Sequence, residues 1–262
     1  MEVIICSNER EVGRVAADRV ISLLKHKPAP VLGLATGSSP LQLYQELARR
    51  REAGEVDFSE ASGFALDEYV GLDPSHPLSY RQTINRTVVE PLGMDPARVH
   101  VPDGMAADLD AAAIAYDTSI AKAGGVDVQV LGIGSNGHVG FNEPSSSLVS
   151  RTRVKTLTER TRADNARFFD SPDEVPMLCV TQGLGTIMES RAALLVASGQ
   201  GKADAVAAMV EGPVSASCPG SILQAHPQAI VVVDEAAASK LSLADYYRRI
   251  VELQTPEVGR AG

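Results

Sequence analysis

Only three cysteines, Cys6, Cys179 and Cys218, occur in 262 residues, and they are far apart. That excludes a disulfide framework and a zinc-binding pattern, and it points to a reducing compartment. No apolar run reaches membrane-spanning length, and the opening "MEVIICSNER" is too short and too acidic for a signal peptide. The expectation is a cytoplasmic protein with no membrane partner. An excess of basic residues is also missing. Net charge is −9, which argues against nucleic acid as a partner. It does not argue against a small anion, because a few local cations and N–H groups outweigh a distant net charge. The five histidines show no HExxH or other metal-ligand spacing, so no metal is expected. No P-loop or dinucleotide fingerprint appears, and no cofactor is expected. There is no GxSxG elbow, and no cysteine lies near His138 in sequence. Repeats, low-complexity tracts and convincing linkers are absent too. Residues 1–262 read as a single domain of ordinary composition, 44% hydrophobic and 22% charged.

What is present is alternation. Short runs of Val, Ile and Leu predict strands at "EVIIC" (2–6), "VLGLA" (31–35), "GFAL" (63–66), "VDVQVLGIG" (126–134), "PMLCVT" (176–181), "AALLVA" (192–197) and "AIVVVD" (229–234). Continuous apolar runs suit strands covered on both faces, as in parallel sheets. Between them lie helical stripes. Val12, Val15, Ala16, Val20, Leu23 and Leu24 form one, with Asn8 and Glu11 spaced as a capping box. Leu41, Tyr44, Leu47 and Ala48 form another, followed by Arg49, Arg50 and Arg51 at the favourable end of the helix dipole. Residues 111–125 and 202–212 complete the set. Strand and helix in alternation predict an α/β fold with a mostly parallel central sheet.

Ligands in such sheets bind beyond the carboxyl ends of the strands, so the residues after each strand carry most weight. In "GLATGSSPLQLY", Thr36, Gly37, Ser38 and Ser39 precede Pro40 at a helix start. Free N–H groups and hydroxyls there make an anion cradle; the alternative is a plain turn with Ser39 as N-cap. In "FALDEYVGL", Asp67 and Glu68 end a strand. A desolvated carboxylate there suits a general base, and a helix cap or solvated loop acid is the plainer reading. In "LGIGSNGHVGFNEP", Gly132, Gly134 and Gly137 lead up to His138, and Glu143 is placed to orient its imidazole. A histidine satisfied by turn carbonyls is the alternative. Arg167 and Lys202 are two further cations, the second at a helix start, where a cation is awkward unless an anion is also present. Otherwise they are surface charges. Together these features fit proton transfer on a small phosphorylated molecule.

The segments "LATGSSP", "ALDEYVGL", "GIGSNGHVGFNEP", "TRADNARFF" and "VEGPVSASCPGSILQAHPQAIVVVDE", in that order and nearly end to end, resemble the glucosamine-6-phosphate deaminase family. The resemblance implies a three-layer, modified Rossmann-like fold. It also implies conversion of a small-molecule sugar phosphate, glucosamine 6-phosphate, with water to fructose 6-phosphate and ammonia. Asp67 matches the base that moves a proton between C2 and C1, His138 the ring-opening group, and Glu143 its supporting acid. Thr36 to Ser39, Arg167 and Lys202 match the phosphate site. Asn136 stands where an aspartate is common in the family, which removes a charge beside His138. Ser146, Arg153, Lys155 and Thr156 resemble an effector site found in allosteric hexameric members. The C-terminal segment "LSLADYYRRIVELQTPEVGRAG" does not match those members. A homo-oligomer, hexamer or smaller, is the expected assembly. The related 6-phosphogluconolactonases share the Gly-His turn but lack the Phe-Asn-Glu-Pro run. A non-catalytic sensor would need the phosphate cradle but not the base.

Overall fold

In a computed structural model, residues 1–166, 169 and 171–254 are described. The ten strands are β1 (Glu2–Cys6), β2 (Val31–Leu34), β3 (Ser62–Ala65), β4 (Asp67–Tyr69), β5 (Val99–His100), β6 (Val128–Leu131), β7 (Arg153–Thr156), β8 (Leu178–Thr181), β9 (Ala192–Ala197) and β10 (Ala229–Asp234). Seven form one sheet in the order β1-β10-β9-β6-β2-β3-β5, and every neighbouring pair is parallel. Every residue of β2, β6, β9 and β10 is buried, as continuous apolar runs require. Successive side chains point to opposite faces. Leu32 and Leu34 of β2 join the large core under helices Glu9–Leu24 and Leu41–Glu52. Val31 and Phe64 join a smaller cluster with Tyr116 and Ile120 of helix Leu109–Lys122. Helices therefore cover both faces, and the layering is α/β/α.

Local signals explain the helix starts. Asn8 Oδ1 accepts the Glu11 N–H at 3.0 Å and caps the first helix. The expected box is half made, because the Glu11 carboxylate turns to Arg14 instead of back to Asn8. Helix Leu41–Glu52 has no side-chain cap at its start, so Ser39 is not the N-cap.

"PMLCVT" departs from its expected place. Its strand, β8, is not in the parallel sheet but lies between β4 and β7 in a small antiparallel sheet. An apolar run reports burial, not the identity of its neighbours. β4 and β7 are polar, and β5 has two residues, so none of them carries a strand signal.

Chain direction then locates the site. From β2 the chain moves to β3 on one side, and from β6 it moves to β9 on the other. The carboxyl ends of β2 and β6 thus flank a topological switch point, where α/β sheets bind ligands.

Candidate active site

A cleft of about 540 Å³ opens at that switch point. It is lined by the turn Thr36–Ser39 after β2, by Asp67 opening β4, by Gly132, Ile133, Gly134, Ser135 and His138 after β6, and by Lys202 after β9. Residues that follow or open four different strands thus share one cavity. Asn136 and Glu143 stand behind His138. Arg167 lies outside the described residues.

Asp67 is only 5% exposed. Burial, and then the neighbouring Glu68 charge, push its carboxyl up to about 8. That is the range of a general base working near neutral pH. Gly140 keeps the space beside it open. A Cβ there would meet Thr181 Oγ1 at 3.1 Å and Asp67 Oδ2 at 3.4 Å, and its φ of +56° disfavours a side chain.

His138 presents one nitrogen to the cleft and one to Glu143. Its Nδ1 is buried, 3.5 Å from Glu143 Oε2, an ion-pair distance at the outer limit of a hydrogen bond. Nε2 is therefore the nitrogen that meets the cleft. Glu143 is 3% exposed and held from three sides. Asn136 Nδ2 donates to Oε2 at 2.7 Å; Thr158 Oγ1, at 3.2 Å, and Thr161 Oγ1 donate to Oε1. Burial acts to raise Glu143, but the His138, Thr161 and Asn136 contacts outweigh it and hold it down at about 2. A permanent carboxylate thus sits behind the imidazole, as in a base–orienter pair. Asn136 also accepts the His138 backbone N–H at 3.2 Å. The ring lies over Gly134, where a Cβ would fall 2.2 Å from Cε1.

Lys202 heads helix Ala203–Val210 and donates from Nζ to the Ile133 carbonyl at 2.7 Å. This tethers a cation across the β6 turn, opposite the small polar turn of Thr36–Ser39. Gly37, with φ +98°, lets that turn reverse before the helix. The turn and Lys202 offer donors and charge to a phosphate.

The "FNEP" run is fixed by Asn142, which is fully buried. Its Nδ2 donates to the carbonyls of Val139 and Gln182, at 3.0 and 2.8 Å, and its Oδ1 accepts from Arg153 at 2.8 Å. Phe141 N–H donates to Thr181 Oγ1 at 3.1 Å. The loop carrying Glu143 is therefore clamped onto β8.

Arg153, Lys155 and Thr156 lie within β7, where Arg153 and Lys155 share a face and Thr156 takes the other. Ser146 is buried.

Several cleft residues are not singled out in the sequence: Tyr80, Arg160 and Ser198, with Thr161 and Asn165 present only as part of the segment "TRADNARFF". Thr158 caps the helix that follows by accepting the Thr161 N–H, and Thr161 lies in that helix's first turn. Their second role, holding Glu143, depends on contacts 15 and 18 residues apart.

Residues 8–232 match the family model described as glucosamine-6-phosphate isomerases/6-phosphogluconolactonase. A protein of Cutibacterium acnes named glucosamine-6-phosphate deaminase is 62% identical over 248 residues, 95% of each chain. A solved structure described as a monomeric glucosamine-6-phosphate deaminase is 41% identical, with TM-score 0.89, covering 92% of this chain and 100% of that one. The 6-phosphogluconolactonase of Trypanosoma brucei, 18% identical with TM-score 0.74 over 92% of this chain and 98% of that one, shares the fold. The chain belongs to the glucosamine-6-phosphate isomerase/6-phosphogluconolactonase family.

Proposed function

We propose that this protein is a glucosamine-6-phosphate deaminase, taking glucosamine 6-phosphate and water to fructose 6-phosphate and ammonia. The observation that carries the reading is the pairing of two proton-transfer groups in one cleft. Asp67 is a buried carboxylate whose proton affinity is raised into the working range, and His138 is backed by an ionised Glu143. The high identity to proteins of that name supports the same activity.

The chemistry needs both groups. An acidic C–H beside a carbonyl exists only after the pyranose opens. His138 Nε2 takes the O1 proton and serves its delivery to O5. Asp67 then removes the C2 proton of the open aldehyde and returns it at C1. The nitrogen-bearing C2 becomes iminium-like, water adds, and ammonia leaves the ketose. The turn Thr36–Ser39, with Lys202 and Arg167, anchors the phosphate so that C2 meets the carboxylate. Asn136, in place of an aspartate, holds Glu143 without adding charge beside the imidazole.

Ammonia and fructose 6-phosphate released from glucosamine 6-phosphate, with EDTA present, test the reading. Equal amounts of both products are expected. Binding of the sugar phosphate without either product would sink it and favour 6-phosphogluconolactone hydrolysis or a sensor. The effector assignment of Ser146, Arg153, Lys155 and Thr156 predicts sigmoidal kinetics relieved by N-acetylglucosamine 6-phosphate; hyperbolic kinetics unchanged by it would remove the assignment. The solved deaminase 41% identical to this chain is described as monomeric, whereas the sequence expectation is an oligomer. Sedimentation velocity on this protein decides between them.

A further inference from the structure

Glu68 adjoins Asp67 in sequence but plays no part in the chemistry above. It is 4% exposed, and its side chain points to the face of β4 opposite Asp67. Its carboxylate gathers three backbone N–H groups, from Tyr69 at 2.8 Å, Tyr80 at 3.0 Å and Arg81 at 2.9 Å. Two of these open the helix Tyr80–Ile84, twelve and thirteen residues along the chain. Tyr80 lines the cleft beside Asp67 and stacks on Phe141 with centroids 5.9 Å apart. Its hydroxyl meets that of Tyr69 at 3.2 Å, and Asn165 Nδ2 donates to the same Tyr69 oxygen at 2.9 Å.

We propose that Glu68 is a positioning residue for Asp67: held by three backbone N–H groups, it fixes the register between β4 and the aromatic wall of the cleft, and it places a second carboxylate next to the base. The proposal rests on the deaminase reading for its kinetic readout only. The other groups packed near Asp67 do not supply that charge. Tyr69 on β4 is pushed up to about 12 by burial, and burial likewise raises Tyr80, Tyr116 of helix Leu109–Lys122 and Cys179 of β8, so all four stay neutral. Burial raises the Glu68 carboxyl itself, and the N–H groups of Tyr80, Arg81 and Tyr69, then the Arg81 charge, act against that rise and favour its ionised form. Arg153, in the same row of the small sheet, is engaged by Asn142. His138 faces Glu143.

Two variants separate charge from reach. Glu68→Gln keeps an acceptor oxygen and loses the charge. Glu68→Asp keeps the charge but falls one methylene short of the Tyr80 and Arg81 N–H groups. In Glu68→Gln the acid limb of kcat/KM is expected to move down by about one pH unit. In Glu68→Asp the limb stays and kcat falls by roughly tenfold, as misplacement of a base predicts. A limb in Glu68→Gln that coincides with wild type, or one displaced in Glu68→Asp, would overturn the proposal. Infrared difference spectra, wild type minus Asp67→Asn, report the Asp67 carboxyl without substrate. Titration of that band near pH 4 in the wild type would overturn the proposal even if Glu68→Gln did not fold. Failure of the wild type to release ammonia would overturn the deaminase reading alone, since the infrared titration is independent of turnover.

Discussion

A carboxylate placed where water cannot reach it serves chemistry at a cost in stability, and Asp67 carries both effects. Its raised pKa means the folded protein binds a proton that the unfolded chain has released. The associated stability is full below the ordinary carboxylate value of 3.8 and is lost as pH rises through about 8. Asp67→Asn cannot ionise, so its melting temperature is expected to gain steadily on that of wild type between pH 5 and pH 9, by calorimetry at both values. Its turnover is expected to fall by at least roughly 10²–10⁴-fold, the contribution of a general base. Glu143 behaves in the opposite sense. Held down at about 2, it contributes stability that is present above its ordinary value of 4.5 and is lost as pH falls through about 2. Gly134→Ala tests the histidine. The new Cβ would overlap the ring, so a folded protein with circular dichroism like wild type and a kcat reduced at least roughly 100-fold is expected. Unchanged kcat would show that His138 need not occupy this rotamer. Glycines 132, 134 and 137 were legible as a turn that approaches something closely; that Gly134 makes room for the imidazole itself was not.

At the scale of elements, the small antiparallel sheet matters more than its size suggests. It places Asp67 of β4 opposite Thr181 of β8, and Thr181 opposite Arg153 of β7. The loop that bears Glu143 hangs on the same strand through Asn142 and Phe141. Asn142→Ala would leave the Gln182 carbonyl without its side-chain donor and Arg153 without that partner in a buried setting. A loss of about 1–3 kcal/mol is expected by urea denaturation, together with a lower kcat as Glu143 loosens. A variant as stable as wild type would show that water replaces the amide. None of this sheet was readable as a sheet. β4 and β7 are rich in charge, and their pairing depends on partners more than 100 residues apart for β4 and about 25 for β7. "FNEP" could be recognised as a motif, but its purchase on β8 had no local sign.

For the whole molecule, the parallel sheet is the support on which the cleft depends. Leu194 in β9 is fully buried. Leu194→Ala is expected to cost about 2–5 kcal/mol in urea unfolding, with KM for the folded enzyme unchanged, because the site lies at the strand ends and not among the strand centres. A changed KM would mean that packing in the sheet reaches the cleft. Among the described residues, no helix is long and apolar enough to cross a membrane. By itself the sequence determined the alternation of strands and helices, six of the seven main-sheet strands, and the cleft's two glycine-bearing turns with Asp67, His138 and Lys202. Those are local properties: burial on both faces writes a continuous apolar run, and a ligand turn writes glycine and small polar residues. Tertiary structure alone decided the rest. Strand order made a switch point of β2 and β6, and "PMLCVT" went to the second sheet. Burial raised Asp67 while hydrogen bonds lowered Glu143, and Glu68 turned from a second acid into an anchor. Each of these depends on what surrounds a residue in space, and the energy of a charge or a hydrogen bond is set by those surroundings.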